Sequence, residues 1–246
     1  MDMLQPLEWD SKFFGFPIAK IVNPKASIDD LQAACIAMNQ RAIPLAYWMA
    51  DDPSEKVQRA ASGLNGQLVD EKLTYSMNLD ETSNTGTVDI RLVESFREGM
   101  SLADLKQLGV DSGAYSRFVV DPNFPRVKAN AMFEEWIIRS VQKTYADDVL
   151  VIVQGDRIAA MATVADKGGY ANIGLVAVAE DFRGRGFGET IVRAAQNWTL
   201  HKGIRRITVT TQRANEPARR LYQKCGFELE KTEFVYHFWS DHRIQN

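Results

Sequence analysis

A strand-like segment, a loop rich in glycine and arginine, and a helix-like segment follow one another between residues 170 and 201. The loop contains two arginines and three glycines within six residues, namely Arg183, Gly184, Arg185, Gly186, Phe187 and Gly188. The first N–H groups of a helix have no partners within it, and glycines let a phosphate approach them closely. The segment therefore predicts an anion site, with a tight turn carrying solvated arginines as the alternative.

The spacing of the glycines does not fit the common nucleotide loops. A Walker loop ends in Gly-Lys-Ser/Thr, whereas Glu189 and Thr190 follow Gly188 here. A dinucleotide loop has the spacing G-x-G-x-x-G after an early strand, whereas this chain has G-x-G-x-G well past its middle. A nicotinamide-dependent oxidoreductase is therefore disfavoured.

The second half of the chain predicts an α/β arrangement with a mixed sheet. Its apolar patterns give the order β-α-α-β-β-β-α-β-α-β. The segments are residues 88–93, 102–108, 131–141, 149–153, 158–164, 170–178, 189–201, 206–211, 215–225 and 227–239. The fourth and fifth form a hairpin, and Gly226 ends the last helix.

The first half predicts a smaller α/β unit. Residues 28–41 have helical periodicity, while residues 45–49 and 73–79 read as strands. Residues 80–87 contain no large apolar side chain and are the best candidate linker. The sequence thus predicts a small N-terminal domain over residues 1–84 and a second domain over residues 85–246.

Composition excludes several classes of protein. Of the 246 residues, 45% are hydrophobic and 25% are charged, with a net charge of −3, which argues against a nucleic-acid-coating protein. No apolar run approaches the ~20 residues of a membrane span, and the acidic N-terminus lacks the bases of a signal peptide. Cys35 and Cys225 are expected to be free thiols. We expect a cytoplasmic protein with neither nucleic acid nor membrane as its partner, and a homodimer is left open.

Two motifs in residues 173–227 resemble those of the GNAT family of N-acetyltransferases. Its loop pattern, Arg/Gln-x-x-Gly-x-Gly/Ala, is matched by Arg183, Gly186 and Gly188. Its second pattern is matched by a set in the last helix and its end, namely Asn215, Ala218, Leu221, Tyr222, Gly226 and Phe227. The resemblance covers residues 87–246. Glu180, where the family often has proline, is a departure with no expected effect on catalysis.

The resemblance implies the GNAT acyl-CoA N-acyltransferase fold, a mixed and mostly antiparallel sheet with flanking helices, here preceded by the small α/β domain. It also implies acetyl-CoA as cosubstrate. Its pyrophosphate would be bound by the loop from Arg183 to Gly188, and its pantetheine arm by the backbone of Val176, Ala177 and Val178, with Asn215 as a further cofactor-binding residue. Asn215 could instead serve only as a helix cap.

The resemblance implies direct attack of a neutral amine on the thioester. An N–H near Val178 would stabilise the oxyanion, and Tyr222 would be the general acid for the thiolate of coenzyme A. Tyrosines at such positions are more often plain core. Glu71, Glu81 and Glu94 are candidate general bases, and a water chain without a dedicated base is the alternative. We assign no metal to His201, His237 or His242.

Shorter matches resemble the branch of this family that acetylates dTDP-4-amino-4,6-dideoxyhexoses in surface-polysaccharide biosynthesis. They are residues 7–15, 116–118 and 133–136. If this resemblance holds, the acceptor amine belongs to a nucleotide sugar. Arg117 would then bind its diphosphate, because a guanidinium binds phosphate oxygens bidentately, and Tyr115 and Phe118 would stack on its base or sugar. Trp9, Phe13 and Phe14 could instead only pack the first domain, and Arg117 could be a loop arginine in solvent.

Two alternatives stay open. The first is an N-acetyltransferase for another amine, such as a protein N-terminus, an amino acid, a polyamine or an antibiotic. The second is a non-catalytic acyl-CoA sensor, against which the presence of Tyr222 argues mildly.

Overall fold

The computed structural model describes residues 2–51, 54–80 and 89–240. The strands are β1 (Leu4–Pro6), β2 (Ile18–Ile21), β3 (Leu45–Ala50), β4 (Gly66–Asn78), β5 (Val93–Ser95), β6 (Asp148–Gln154), β7 (Arg157–Asp166), β8 (Ala171–Val178), β9 (Arg206–Gln212) and β10 (Glu228–Trp239). The helices are α1 (Glu8–Phe14), α2 (Ile28–Gln40), α3 (Glu55–Gly63), α4 (Leu102–Ser112), α5 (Arg117–Val120), α6 (Arg126–Val141), α7 (Phe187–His201) and α8 (Glu216–Lys224).

The chain forms two compact units whose limits differ from the predicted domains. The first unit contains residues 1–72 and 232–246, and the second contains residues 73–231. The limits fall within β4 and β10 because each of these long strands contributes residues to both units. The predicted boundary between residues 84 and 85, and nearly all of the predicted linker, lie outside the described residues. That division into domains stays a prediction.

The first unit is built on the sheet order β1-β2-β3-β10. β2 and β3 are parallel, whereas β1 pairs antiparallel with β2, and β10 pairs antiparallel with β3. Helix α2 begins with a capping box between Ser27 and Asp30. It buries Leu31, Ala34 and Met38 on the same cluster as Trp48 and Phe238. The first unit combines helices with strands, but it includes β10 from the end of the chain, while the predicted strand over residues 73–79 belongs to the second unit.

The second unit contains the antiparallel strands β5, β6, β7 and β8, joined to β9 by a parallel pairing. Within this unit β4 lies beside β9, and the N–H of Leu79 donates to the carbonyl of Arg205 at 2.7 Å. The neighbour of β9 therefore comes from a strand that precedes residue 85. A mixed and mostly antiparallel sheet is what the sequence predicts.

Helices cover the sheet of the second unit on both faces. α7 and α8 share one apolar cluster with alternate residues of β6, β7 and β8. α4 packs on β7 and β8 as well as on α6, and its buried residues Leu105 and Leu108 lie outside that cluster. The α4–α6 layer therefore covers the opposite face.

The prediction of a strand over residues 88–93 is wrong for residues 89–92. The side chain of Asp89 accepts a hydrogen bond from the N–H of Arg91 and caps a 3-10 turn, Ile90–Leu92. β5 begins only at Val93. The short side chain of Asp89 thus binds a backbone N–H that a strand would use for pairing. The alternation of apolar residues gave no sign of this bond.

Two expectations from composition can be compared with the structure. Cys35 and Cys225 are free thiols, as predicted. Among the described residues, no helix combines the length and the apolarity that crossing a membrane requires.

We expect Gly109→Ala to lower the free energy of unfolding by about 1–3 kcal/mol. A Cβ at Gly109 would lie 2.4 Å from Cγ1 of the buried Ile137 and 3.3 Å from the carbonyl oxygen of Phe133. The matched control is Gly63→Ala at the end of α3, where a Cβ would meet nothing within 4 Å. Urea unfolding curves of the two variants measure the difference, and equal midpoints would contradict this account of the α4–α6 contact.

Candidate active site

A β-bulge interrupts the pairing between β7 and β8. Ala162 is paired with Val176, but Val164 is paired with Ile173, so Thr163 alone faces two residues, Gly174 and Leu175. The hydroxyl oxygen of Thr163 accepts the N–H of Leu175 at 2.9 Å. A Cβ at Gly174 would lie 2.8 Å from that oxygen. The bulge therefore needs a hydroxyl on β7 and a glycine on β8.

The pairing between β8 and β9 covers Ala171–Ile173 and Ile207–Val209. It ends at the bulge, although β8 continues to Val178 and β9 to Gln212. Beyond the bulge, the N–H of Ala179 donates to the carbonyl of Ala159, so the N–H and C=O of Val176 and Val178 point away from β7. These backbone groups face β9, but among the described residues β8 pairs with β9 only over Ala171–Ile173. The bulge thus opens a gap beside an unpaired stretch of β8.

The glycine-rich loop connects the end of β8 to α7. Gly184 and Gly186 have φ values of +76° and +83°, a region that favours glycine. Gly186 is the N-cap of α7, and no side chain caps this helix. The first N–H groups of α7 are therefore available to an anion, and the dipole of the 15-residue helix favours negative charge there. This geometry fits the predicted anion site.

Both loop arginines donate hydrogen bonds to nearby backbone carbonyl groups. Nε of Arg183 donates to the carbonyl of Val178 at 3.2 Å. Nη2 of Arg185 donates to the carbonyl of Asp181 at 3.0 Å, and its guanidinium lies 5.0 Å from the centre of the Phe182 ring. Since the Val178 carbonyl faces the gap, the Arg183 side chain lies at its edge. Phe187 packs at 6.4 Å from Phe182.

Gly188 has a different role from the other two glycines. It lies in the first turn of α7, and a Cβ there would lie 3.3 Å from Leu221 of α8 and 3.7 Å from Val178 of β8. Gly188 therefore allows α7, α8 and the end of β8 to approach closely. The sequence assigned it to phosphate binding, and the structure adds this packing role.

Helix α8 begins at Asn215, whose side-chain oxygen accepts the N–H of Ala218 at 3.2 Å. The side chain thus serves as the cap that the sequence left open as an alternative. The helix ends in a Schellman motif, in which Phe227 N–H donates to the carbonyl of Tyr222 and Gly226 N–H donates to that of Gln223. Gly226 has a φ of +90°, and the Tyr222 and Phe227 rings pack at 6.0 Å. The motif therefore fixes the turn that carries Tyr222.

Tyr222 is 4% exposed and joins the cluster shared by α7 and the sheet. Its ring also packs on Tyr75 of β4 at 6.2 Å. Burial raises the pKa of Tyr222 well above its usual value, and the neighbouring Cys225 raises it further. The phenol therefore keeps its proton at neutral pH, as a hydrogen-bond donor or general acid requires. Burial also raises the pKa of Cys225 to about 11, so this thiol is not an activated nucleophile.

A polar network between α7 and α8 escaped the sequence analysis. Glu189 binds Nε of Arg193 at 3.0 Å and Nζ of Lys224 at 2.7 Å, and its side chain is 13% exposed. The bond to Lys224, followed by that to Arg193, lowers the pKa of Glu189 against the opposing effect of burial. The i,i+4 spacing of Glu189 and Arg193 could have predicted their ion pair. Nothing in the sequence showed that Lys224 would also contact Glu189.

The predicted acceptor residues lie between α4 and α6. Phe118 is 5% exposed, packs edge-on against Phe124 at 5.3 Å and is covered by the Arg117 guanidinium at 4.4 Å. A buried ring covered in this way is a core residue, so the structure does not support base stacking by Phe118. Arg117 is half-buried, and Tyr115 is 39% exposed. The side chain of Tyr115 is thus partly accessible from the surface.

The three candidate general bases lie on different segments. Glu94 lies on β5 and pairs with Arg97 at 3.0 Å, Glu71 lies on β4, and Glu81 lies outside the described residues. His201 ends α7, His237 is buried in β10, and His242 also lies outside the described residues. Across residues 2–51, 54–80 and 89–240, no three His, Cys, Asp or Glu side chains form a group that could hold a metal ion.

Comparison with known proteins identifies the architecture. Residues 110–227 match the model of the Acetyltransferase (GNAT) family, a range that includes the bulge, the glycine-rich loop and Tyr222. Over these residues the chain matches the GNAT family of acetyltransferases. The match and the names of the similar proteins indicate an acetyl-CoA-dependent acetyltransferase.

Three similar proteins support this match. The dTDP-fucosamine acetyltransferase of Escherichia coli is 25% identical over 94% of this chain and 96% of its own length. The spore coat polysaccharide biosynthesis protein SpsD of Bacillus subtilis is 27% identical over 54% of this chain, which spans only 46% of that protein. The crystal structure of a GCN5-related N-acetyltransferase from Sphaerobacter thermophilus has a TM-score of 0.63 at 14% identity, with 93% of this chain and 73% of that one covered. This last likeness shows the GNAT fold alone.

We expect Glu189→Gln to lower the free energy of unfolding at pH 7 by about 0.5–1 kcal/mol. The folded pKa of Glu189 lies below its ordinary value of 4.5. The carboxylate therefore stabilises the fold above pH ~4.5, and this contribution is lost as the pH falls through the folded pKa. The difference between variant and wild type should shrink toward pH 3.

The matched control is Glu55→Gln. Glu55 also lies in the first turn of a helix and pairs with an arginine four residues on, but its side chain is 85% exposed. Urea unfolding at pH 7 and pH 3 measures both variants. A deficit of Glu189→Gln that persists unchanged at pH 3 would contradict the ionic origin of the effect.

Proposed function

We propose that this protein transfers the acetyl group of acetyl-CoA to the amino group of a nucleotide-linked amino-deoxysugar, of the dTDP-4-amino-4,6-dideoxyhexose type. The main structural support for acetyl transfer from acetyl-CoA is the gap beside Val176 and Val178, which lies next to the uncapped start of α7. The similarity to the dTDP-fucosamine acetyltransferase along nearly the whole chain supports the acceptor.

The residues around the gap fit coenzyme A. The uncapped first turn of α7, preceded by Gly184 and Gly186, would hold the pyrophosphate, with Arg183 and Arg185 beside it. The backbone groups of Val176 and Val178 that face the gap would hold the pantetheine arm as a neighbouring strand would, whereas the backbone of Ala177 points to β7 and contributes only by placing them. Asn215 caps α8 in this structure, so its contribution to the cofactor is by placing that helix.

The protein groups supply binding, orientation and one proton. Acetyl-CoA supplies the activated acetyl group when it is bound. We assign the N–H of Val178 as the donor to the acyl oxygen, since it points into the gap and a fixed donor stabilises charge that develops there. We assign Tyr222 as the group that holds a proton for the departing thiolate, because it matches the tyrosine of the family's second motif and its phenol is protonated at neutral pH. Deprotonation of the amine is left to solvent.

The segment between α4 and α6 would receive the acceptor. The α4–α6 layer covers the face of β8 opposite to α7. An amine would therefore approach the gap from the α4–α6 face of the sheet, while the glycine-rich loop would hold the cofactor at the start of α7. Arg117 would bind the diphosphate bidentately, and the exposed ring of Tyr115 would pack on the base or sugar. With this reaction, the protein would act in surface-polysaccharide biosynthesis in the cytoplasm.

Two other functions share the same cofactor site. A different amine, such as a protein N-terminus or an amino acid, would keep the roles of the loop and Tyr222 but leave Arg117 without a ligand. A non-catalytic acyl-CoA sensor would keep the loop alone. The presence of Tyr222 in the second motif favours a catalyst over a sensor.

We expect Gly186→Val to abolish binding of acetyl-CoA. Gly186 has a φ of +83°, which a β-branched residue strongly disfavours, so the first turn of α7 would have to change shape. Calorimetric titration with coenzyme A measures the loss. The control is Gly155→Val, which has a positive φ of +62° in the β6–β7 hairpin and open space around it. Normal affinity in a folded Gly186→Val protein would refute the role of the loop.

We expect Tyr222→Phe to lower kcat about a hundred-fold while the Kd for acetyl-CoA changes little. The variant removes the hydroxyl and keeps the ring, so the packing with Tyr75 and Phe227 is retained. Thiol release and calorimetry measure the two quantities. A variant with unchanged kcat at every pH would show that Tyr222 is not the general acid.

The acceptor is tested by thiol release from acetyl-CoA with 4-amino and 3-amino dTDP-sugars beside peptides, amino acids and polyamines. Turnover should be found with a dTDP-aminosugar and should fall in Arg117→Met. Turnover with the other amines alone would discard the nucleotide sugar and keep the transferase. Tight coenzyme A binding without any turnover would favour the sensor.

A further inference from the structure

Gln196 is a fully buried polar residue that the proposed mechanism does not use. It lies on α7 with 0% of its surface exposed, among the apolar residues of the cluster that α7 shares with the sheet and α8. Its Nε2 donates to the carbonyl of Cys225 at 2.7 Å and lies 3.3 Å from the sulfur of Met77. Its Oε1 is buried and has no hydrogen-bond partner among the described residues. A buried acceptor left unpaired costs about 1–3 kcal/mol, which an apolar side chain would avoid.

The carbonyl that Gln196 binds belongs to the end of α8. The last carbonyls of a helix have no partners within it. The Schellman motif satisfies those of Tyr222 and Gln223. Those of Lys224 and Cys225 are bound from α7, by Nη2 of Arg193 at 3.4 Å and by Gln196. Cys225 is itself 1% exposed, so solvent cannot replace the amide of Gln196.

We propose that Gln196 is a positioning residue for Tyr222. It fixes the end of α8 and thereby the place of the phenol. The inference rests on the proposed role of Tyr222. Helix ends fray unless their terminal groups are bound, and Tyr222 lies three residues before Cys225, in the last turn. Gln196 ties that turn to α7.

The same helix begins at the glycine-rich loop. α7 thus carries the proposed phosphate site at its first turn, and Arg193 and Gln196 at its second and third turns. A single rigid helix therefore sets the distance between the two ends of the cofactor site. This explains why a costly buried amide is placed here.

The test is a double-mutant cycle on kcat with Gln196→Met and Tyr222→Phe. Methionine has a similar length and shape but cannot donate a hydrogen bond to Cys225. In the presence of acetyl-CoA and dTDP-4-amino-4,6-dideoxygalactose, we expect Gln196→Met to lower kcat about tenfold and to leave the KM for acetyl-CoA within about twofold. In the Tyr222→Phe background, Gln196→Met should cause no further loss, because both variants remove the same contribution.

Hydrogen exchange gives a readout that does not depend on the acceptor. The amides of residues 224–227 should exchange faster in Gln196→Met than in wild type. The matched control is Thr199→Val, which removes another fully buried polar group of α7, one that donates to the carbonyl of Ala195 within its own helix. Thr199→Val should leave both kcat and the exchange at the end of α8 unchanged.

Several outcomes would overturn the inference. Unchanged kcat and exchange in Gln196→Met, while Tyr222→Phe is impaired, would reject it and leave the proposed function standing. Equal losses from Gln196→Met in both backgrounds would show a general structural role. Unchanged kcat in Tyr222→Phe would overturn the role of Tyr222 and the inference together. If Gln196→Met does not fold, Arg193→Met removes the neighbouring contact, and it should show a smaller loss of kcat that is likewise absent in the Tyr222→Phe background.

Discussion

The hydrogen bond from the N–H of Leu175 to the side-chain oxygen of Thr163 is the contact on which the proposed cofactor site depends. It holds two residues of β8 opposite one residue of β7, and a bulge of this kind bends its strand. The pairing with β9 ends at this point, and the N–H and C=O groups of Val176 and Val178 are left to face a gap. Opening the sheet costs the ladder bonds that those groups would otherwise make. The gap therefore opens where a threonine side chain takes the place of a regular backbone acceptor.

The two motifs that resemble the GNAT family have separate physical explanations. In the loop, Gly184 and Gly186 provide the positive φ values of the turn, whereas Gly188 provides room for Leu221. In the second motif, Tyr222, Gly226 and Phe227 occupy three defined places of one Schellman motif. The motif thus couples a helix end to the phenol, and the leucine couples that helix to the loop. A sequence pattern of this kind thus reflects the geometry of turns and helix ends as well as the residues that take part in the reaction.

The sequence predicted most of the second unit because its signals are local. The hairpin of β6 and β7, the start of α8 at Asn215 and its end at Gly226 follow from turn and cap residues close in the chain. Prediction from the sequence failed where contacts between residues distant in the chain determine the structure. Nothing near residue 73 shows that β4 lies beside β9, and nothing in the α4–α6 segment shows that Phe118 is covered by Phe124 and Arg117. The resemblance implies a bulge in the strand before the loop, but it does not show which residues form it, because Thr163 and Gly174 are ordinary strand residues until their register is known.

The open length of β8 also bears on self-association. Unpaired strand edges usually lie at the margin of a sheet, where they attract other chains and lead to aggregation. Here the unpaired groups lie between two strands of one sheet, at the point where β8 and β9 stop pairing. These groups therefore do not lie along an outer edge of the sheet, where another chain could add a strand to it. The fold thus keeps unpaired strand groups for the ligand that we propose and away from the margin at which aggregation begins.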